Sequence, residues 1–424
     1  MGISVNFFEI FRTLGTVFYY VWWVILVWPL WYIFYLMWLE YVAIYADNSY
    51  YSKYKWTMLE VIPPREVERG PKPMEIFFTG LTGVIMNPNP FDINIGGFFR
   101  QDPFSFELVG EEGRVHYYIR TVKNRRNMVE AQIYAQFPEA QIIEVEDYYD
   151  KFPKIVPNRD WDLWGTDFDF AQKDPYYPIK TYDQFEESIT GEMIDPMAAL
   201  VEQLGTLGPG QHLWLQYMAV PVPEGDSIKG GKALLDKLKG RTAVPTTGFL
   251  GHLMDVISSI FSAMSGPVEF KAAATKKDEQ PLDLRLSPVE RDTLKAVEEN
   301  LGKNFFKTKM RMIYIGKRDG FDKAYCGAFI GAIKQFNDLN LNQVKPEAIS
   351  KTAGTIFFTK QRADFRKRKI YDRYRRRNMD GYNLLLSTKE LATMFHFPNI
   401  TVKSPAIAQA TSRLGVAPAN LPVE

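Results

Sequence analysis

The chain has 424 residues, which is more than one ordinary core requires and is typical of two or three domains of common size. Its 51 Lys and Arg residues nearly balance its 50 Asp and Glu residues, so no net charge attracts the whole molecule to nucleic acid or to acidic partners. The single cysteine, Cys326, excludes an intrachain disulfide framework and a multi-thiolate zinc site and fits a reducing compartment.

An uncharged and strongly aromatic segment extends from Thr13 to Leu39. It is long enough to cross a bilayer core of about 30 Å as one tilted helix. Pro29 would kink such a helix, and the alternatives are a re-entrant hairpin or an interfacial segment. The predicted membrane-anchor residues are Val17, Trp22, Trp23, Trp28, Pro29, Trp31 and Trp38.

The charges beside this segment predict its orientation. Arg12 is the only side-chain cation before it, whereas Lys53 and Lys55 follow it within the distance that the positive-inside rule counts. We therefore expect a single-pass protein of the cell membrane with a cytoplasmic body. Residues 1–50 are predicted to form the transmembrane anchor and an interfacial collar.

Short strands and amphipathic helices alternate over residues 51–150, where the hydrophobic period switches between about two and about 3.6 residues. Strands are predicted at Trp56–Ile62, Phe104–Val109, Arg114–Val122 and Ala140–Val145, and helices at Met74–Val84 and Asn124–Phe137. The order β-α-β-β-α-β is that of a ferredoxin-like fold, in which two helices cover one face of an antiparallel sheet. Residues 51–150 are therefore predicted as a first ferredoxin-like module.

A second and looser copy of this order is predicted over residues 151–400. Its strands are Asp162–Phe170, Gln211–Pro221, Phe305–Gly316 and Tyr382–Leu386, and its helices are residues 195–204, 324–336 and 388–397, the last capped by Thr388. Lys309 and Arg311 alternate with apolar residues, so they are expected to face water on one side of their strand. Asp167 and Asp169 are likewise expected on the wet face of a strand.

The second module is interrupted by a predicted helical insertion at residues 225–304. An apolar stripe from Leu250 to Met264 in this insertion indicates core, a partner surface or docking on a membrane surface. Residues 401–424 are predicted to be an extended C-terminal tail. The predicted fold class is therefore α+β, with an N-terminal transmembrane helix followed by two ferredoxin-like (βαββαβ) modules.

Side chains that commonly carry catalysis are sparse in this chain. The four histidines form no metal-binding or nucleophile motif, and Cys326 lies among small apolar residues, as expected of an inert buried thiol. The phosphate-loop-like stretch Gly225–Ala233 has five residues rather than four between its first glycine and its Gly-Lys pair, and it lacks the final hydroxyl. We therefore predict no enzymatic activity, cofactor, metal site or small-molecule substrate.

The segment from Arg362 to Met379 carries nine cations against two acidic residues, with Phe365, Tyr371 and Tyr374 interleaved. On a helix these cations would cover most of the circumference, which favours attraction of phosphate. The candidate anion-binding residues are Arg366, Lys367, Arg368, Lys369, Arg373, Arg375, Arg376 and Arg377. The ligand could be DNA, RNA or an anionic lipid headgroup. The alternative is a solvated helix whose arginines pair with acidic patches in the same protein or in an oligomer.

Three of the most specific stretches are VEAQIYAQFP at residues 129–138, DPMAALVEQLGTLGPGQHLWLQ at 195–216 and LLLSTKELATMFHFP at 384–398. With these stretches the chain resembles a large family of membrane-anchored proteins of candidate-phyla-radiation (Patescibacteria) bacteria. In that family this region is a domain of unknown function, similar to the N-terminal portion of type IV secretion or conjugation ATPases of the HerA/FtsK class. Many members continue from an Asn-Leu-Pro segment, here Asn420–Pro422, into a motor domain, whereas this chain has no Walker motif.

The resemblance implies a role in moving DNA or protein across the envelope and carries over no catalytic residue. We therefore expect a non-enzymatic scaffold or accessory component of a type IV secretion-like or DNA-translocation machine, acting by protein assembly. Its expected partners are the lipid bilayer and either a secretion ATPase or further copies of itself. One alternative is a membrane-tethered adaptor that binds nucleic acid or anionic lipid through residues 362–379. The other is a truncated or split ATPase with its motor domain on another chain.

Overall fold

The structure, a computed structural model, describes most of the chain. The described residues are 12–13, 15–20, 22–23, 27–38, 41, 54–64, 70–86, 101–171, 174–185, 194–239, 286–352 and 358–399. The chain divides into two compact units, one made of residues 1–56 and 86–101 and the other of residues 57–85 and 102–424. The side chains discussed below as a candidate site all belong to the second unit.

The first unit contains helical residues at 15–20 and 27–38, but no helix among the described residues is long and apolar enough to span a membrane. Five of the residues 27–38 are Tyr or Trp, whose polar atoms reduce the apolar character of this segment. The predicted transmembrane helix and single-pass membrane localisation are therefore wrong. The predicted anchor side chains are exposed in this unit: Val17, Trp22, Trp23, Trp28, Pro29, Trp31 and Trp38.

Nine strands form one antiparallel sheet in the described part of the chain. The strands are β1 (Trp56–Ile62), β2 (Phe104–Glu111), β3 (Arg114–Val122), β4 (Gln141–Val145), β5 (Trp161–Phe170), β6 (Gln211–Pro221), β7 (Phe305–Lys317), β8 (Val344–Pro346) and β9 (Leu384–Ser387). Their spatial order is β4-β1-β3-β2-β6-β7-β5-β8. β9 pairs with the first residues of β7, and β5 pairs with its later residues.

The strands β1 to β4 lie in the order 4-1-3-2, and the same order recurs in β5 to β8 on the other side of the β2–β6 pairing. β2 pairs with β6 along its whole length, so each half covers the backbone groups that the other would leave open at an edge. The predicted fold class is wrong, because no helix among the described residues could span a membrane. The fold is mixed α/β, with a nine-stranded antiparallel sheet in the part of the chain that the structure describes.

The helices lie on both faces of this sheet. They are α1 (Lys72–Leu81), α2 (Arg126–Gln136), α3 (Ala198–Gly205), α4 (Glu224–Leu238), α5 (Pro288–Leu301), α6 (Ala324–Ile333), α7 (Thr359–Arg375) and α8 (Thr388–Met394). Short 3-10 turns occur at Thr82–Val84, Lys123–Arg125, Tyr148–Lys151, Tyr182–Phe185, Arg318–Gly320 and Lys334–Phe336. Ser387, not the predicted Thr388, caps α8, because it forms a reciprocal capping box with Glu390.

Each face of the sheet has its own hydrophobic core, and β7 contributes to both. Met310, Met312 and Tyr314 belong to the larger core, which also contains residues of α1, α2, α3, α6 and α8. Ile313 and Ile315 belong to the smaller core on the opposite face, where α7 packs. This division follows from the two-residue period of a strand.

Several predictions concern the segment between β6 and β7. The stretch Gly225–Ala233, which resembles a phosphate loop in sequence, lies within α4 and is helical. Most of the predicted insertion at 225–304, including the apolar stripe from Leu250 to Met264, lies outside the described residues. The predicted tail at 401–424 also lies outside them.

Candidate functional site

The cationic helix of the sequence, α7, packs on the smaller core with one well-defined side. Ile370, Tyr371 and Tyr374 are buried there, and Lys367 is buried just before them. These four positions follow the i, i+3, i+4, i+7 spacing that places side chains on one side of a helix. The ring of Tyr374 lies 5.4 Å from that of Trp214 on β6. The helix therefore has an inner side that belongs to the fold.

Two of the candidate anion-binding residues are used on this inner side. Lys367 Nζ lies 2.6 Å from Asp162 Oδ1 on β5. Arg377, just after the helix, is buried with its Nε 2.7 Å from Glu107 Oε1 and its Nη1 2.8 Å from Asp147 Oδ2. Both cations are neutralised within the molecule, so we exclude them from the set that could bind an external anion.

A line of buried polar side chains, here called the polar row, crosses four adjacent strands on the same face. Glu107 of β2 is opposite Gln216 of β6, which is opposite Arg311 of β7, which is in turn opposite Asp167 of β5. Gln216 Nε2 donates to Glu107 Oε1 at 3.0 Å, and Arg311 Nε donates to Asp167 Oδ1 at 2.6 Å. Each member of the polar row therefore has a partner on a neighbouring strand.

The segment between α7 and β9 rests on the polar row. Arg311 Nη2 donates to the carbonyl oxygen of Asn378 at 3.2 Å. Lys309 Nζ donates to the carbonyl oxygen of Tyr382 at 2.7 Å and lies 3.2 Å from Asp167 Oδ2. The prediction that Lys309, Arg311 and Asp167 face water is therefore wrong. Their alternation identifies the face of the sheet, but that face is covered by α7 and the segment that follows it.

The electrostatics of this network favour ionised carboxylates near neutral pH. Burial alone raises the pKa of Glu107, but the Arg377 guanidinium and hydrogen bonds from Ser105 and Tyr148 outweigh it and hold the pKa below its ordinary value. Burial likewise opposes ionisation of Asp167, and Arg311 and Lys309 together keep its pKa lowered. The buried charges therefore neutralise one another.

The half-buried Asp147 shows the opposite balance. Burial raises its pKa, and Arg377 only partly offsets this effect. Arg377 therefore favours the ionised form of Asp147. It is the cation that pairs with both the buried Glu107 and the half-buried Asp147 at the end of α7.

The outward side of α7 differs sharply from the inner side. Its cations, here called the outward face, are Arg362, Arg366, Arg368, Lys369, Arg373 and Arg376. Four of them, Arg362, Arg368, Lys369 and Arg373, form no ion pair with any residue that the structure describes. Arg376, 74% exposed, pairs with Asp372 at 3.0 Å, an exposed i,i+4 pair of the kind that contributes only about 0.3–0.5 kcal/mol. The outward face therefore extends for ~21 Å along the helix with little compensation of its charge.

Two further cations flank α7 and could not be found by inspecting the basic segment alone. The carbonyl oxygen of Lys351 accepts from Arg366 Nη1 at 3.2 Å, and that of Lys154 accepts from Arg375 Nη1 at 3.3 Å. Both lysines are exposed. Arg375 itself lies over the ring of Tyr149, 4.9 Å from its centroid. Lys154 is 221 residues from Arg375 in the chain, so no local pattern connects them.

Chemically reactive side chains do not converge elsewhere in the described residues. No group of three or more His, Cys, Asp or Glu there could hold a metal ion. Cys326 is buried, and burial raises the pKa of its thiol to about 12. His396 is buried with its Nε2 3.0 Å from Asp195 Oδ1, inside the larger core rather than in an open cleft. Among the described residues, the arrangement that suits a ligand is therefore the outward face of α7, which can bind anions.

Residues 47–410 match a family model described as a domain of unknown function (DUF8128). No curated protein matches the chain. The matched range includes the whole sheet, both hydrophobic cores and the outward face of α7.

Proposed function

We propose that this chain, which belongs to the DUF8128 family, binds nucleic acid through the outward face of α7. The observation that carries this proposal is the contrast between the two sides of one helix. Lys367 is paired with the half-buried Asp162 and Arg377 with the buried Glu107, whereas Arg362, Arg368, Lys369 and Arg373 form no ion pair with any described residue. Because the chain as a whole is nearly neutral, such binding has to be local to this helix.

The dimensions and composition of the outward face suit a phosphate backbone. Duplex DNA carries one negative charge per ~1.7 Å of axis, so a helix face of ~21 Å lies beside about twelve phosphates. Five of the six outward cations are arginine, whose planar guanidinium binds phosphate oxygens in pairs. The exposed Lys154 and Lys351 would extend this contact beyond the helix.

The buried contacts on the inner side of α7 support the same proposal. Arg377 joins the end of α7 to β2, and the polar row holds the following segment against β7. The helix is therefore ordered before any ligand arrives, so binding does not have to supply the free energy of ordering it. Preformed contacts of this kind favour affinity for a given number of charges.

The sequence resembles the N-terminal portions of secretion and conjugation ATPases. This resemblance supports a role for the proposed nucleic-acid binding in DNA translocation. In our proposal the chain is a non-enzymatic accessory component of a DNA-translocation machine, to which it contributes a nucleic-acid contact. A protein-assembly role is the second candidate. It is favoured by the same unpaired cations, which would then meet an acidic patch on the partner.

The test is a salt titration of binding to labelled DNA and RNA by fluorescence anisotropy. With four phosphate contacts, from Arg362, Arg368, Lys369 and Arg373, the slope of log K against log salt is about −4 for a duplex, and affinity falls about 10²-fold between 50 and 200 mM salt. The triple substitution Arg368→Glu, Lys369→Glu and Arg373→Glu is expected to weaken binding at every salt concentration. It should also reduce the magnitude of the slope by about 3.

A matched control makes the same change of charge on another helix. Lys229, Lys232 and Lys237 are exposed on α4, and their replacement by Glu is expected to leave affinity and slope close to the wild-type values. Equal effects of the two triple variants would show that only net charge matters and would overturn the proposal. Binding of the wild type to phosphatidylserine vesicles but not to nucleic acid would overturn it as well.

A further inference from the structure

Two phenylalanine side chains are exposed, one on the outward side of α7 and one at its N-cap. Phe365 is 65% exposed, and Phe358, the residue that precedes the helix, is 76% exposed. The other aromatic residues of the helix, Tyr371 and Tyr374, are buried in the smaller core. A single exposed apolar side chain is ordinary, so the argument depends on what surrounds these two rings.

Phe365 is surrounded by unpaired cations on the helix surface. Arg362 precedes it by three residues, and Arg368 and Lys369 follow it by three and four. Residues at these spacings have Cβ atoms about 5–6 Å apart on a helix. None of the three cations forms an ion pair within the described ranges. An exposed ring therefore lies at the centre of a triangle of available positive charges.

Phe358 repeats this exposure at the N-cap of the helix. It lies seven residues before Phe365, in a left-handed backbone conformation. A ring of this kind can accept the face of an unpaired base, whereas the bases of a duplex are already stacked on one another. Cations that contact phosphates and rings that stack on bases together form the composition of a single-strand binding surface.

We infer that the outward face of α7 prefers single-stranded nucleic acid, with bases stacked on Phe365 and Phe358. This inference rests on the proposed function, because the same cations provide the phosphate contacts. It goes further in assigning the aromatic side chains a role that charge alone does not explain. It also predicts that the two kinds of side chain contribute separably to binding.

The experiment compares an oligothymidylate with a duplex hairpin of equal length, by fluorescence anisotropy at one salt concentration and across salt. The wild-type chain is expected to bind the single strand more tightly. Phe365→Ala should weaken single-strand binding about 5- to 150-fold, the range measured for loss of one stacking contact. Duplex affinity should change less than about twofold, and the salt slope should stay the same because no charge is removed.

Two conservative variants distinguish stacking from general apolar contact. Phe365→Leu retains an apolar side chain without a ring and is expected to weaken single-strand binding as Phe365→Ala does. Phe365→Trp retains a ring and is expected to preserve it. The side chain is 65% exposed, so none of these changes removes packing from the core.

The outcomes separate this inference from the proposed function. If the wild type binds both nucleic acids equally, or if Phe365→Ala weakens both equally, the preference for single strands is wrong while binding through α7 stands. If the wild type binds neither nucleic acid, the proposed function fails and the inference fails with it.

Discussion

Replacing Arg377 by Met tests the buried network most directly. The wild-type guanidinium lies 2.7 Å from Glu107 and 2.8 Å from Asp147, and all three groups are largely removed from water. Removing one partner of a buried ion pair leaves the other charge uncompensated and typically costs 3–5 kcal/mol. We therefore expect Arg377→Met to lower the free energy of unfolding by about 3–5 kcal/mol near neutral pH, a large part of the 5–15 kcal/mol of a typical domain.

The pH dependence of this loss gives the prediction a second observable. In the wild type the pKa of Glu107 is held below its ordinary value of 4.5, so its charged form contributes stability above that pH and loses it as the pH falls through the folded-state pKa. Without Arg377, burial is expected to raise the pKa of Glu107 above its unfolded value. The resulting penalty is complete above the raised pKa and disappears below the unfolded one. The difference between wild type and variant should therefore shrink as the pH is lowered from about 7 to about 4.

Urea unfolding followed by tryptophan fluorescence at several pH values measures both effects. Arg376→Met is the matched control, because Arg376 is the neighbouring residue but pairs with Asp372 on the exposed surface. It is expected to change the unfolding free energy by less than about 0.5 kcal/mol. A loss below about 1 kcal/mol for Arg377→Met, or a loss that does not vary with pH, would refute the reasoning from a buried uncompensated carboxylate.

Two further predictions concern other buried polar groups, and urea unfolding measures both. Ser387 and Ser287 are each the N-cap of a helix, and each hydroxyl accepts a backbone N–H at 3.3 Å in a capping box. Only Ser387 is buried, so Ser387→Ala should lower the free energy of unfolding by about 1–2 kcal/mol and Ser287→Ala by about 0.5 kcal/mol. Equal costs would contradict the role of burial. Lys309→Met should cost less than Arg311→Leu, because Asp167 keeps the guanidinium at 2.6 Å in the first variant and loses it in the second. The reverse order would show that Lys309 is the principal partner.

Individual strands could be predicted from the sequence, but the pairing of one strand with another could not. The predicted strand Gln211–Pro221 coincides with β6, and the predicted strand Phe305–Gly316 ends one residue before β7 does. Both follow from hydrophobic alternation, which is a local property. The pairing of β2 with β6 joins Glu107 to Gln216 across 109 residues and has no local signature. Local patterns therefore do not reveal that the strands of the two halves pair in one sheet.

The same limit explains the errors around the candidate site. Alternation assigns Lys309 and Arg311 to the face opposite the larger core, but it does not reveal that α7 covers that face. Their partner Asp167 lies 144 residues before Arg311. The sequence did contain a signal that divides α7 into two sides, namely Lys367, Ile370, Tyr371 and Tyr374 at helical spacing. Counting the cations of the segment without assigning them to sides conceals that signal.

The polar row also bears on why the two halves of the sheet meet in one register. Side chains alternate between faces, so a slip of β2 by one residue against β6 would turn Glu107 toward the larger apolar core and away from Gln216 and Arg377. An unpaired carboxylate in that environment is strongly unfavourable. Buried ion pairs often add little net stability compared with apolar residues of similar size, so we attribute to the polar row chiefly the selection of this register.

The register between β2 and β6 and the position of α7 depend on the same charged side chains. Glu107 hydrogen-bonds to Gln216 across the β2–β6 pairing and forms an ion pair with Arg377 at the end of α7. The correct register of β2 against β6 therefore places a carboxylate beside Arg377. Arg377 is thereby neutralised within the fold, and Lys367 is neutralised by Asp162 on β5. Arg362, Arg368, Lys369 and Arg373 form no ion pair within the described residues, and the helix that carries them is held in place by contacts made on its other side. Its positive charge therefore remains available to a ligand without any change in the fold.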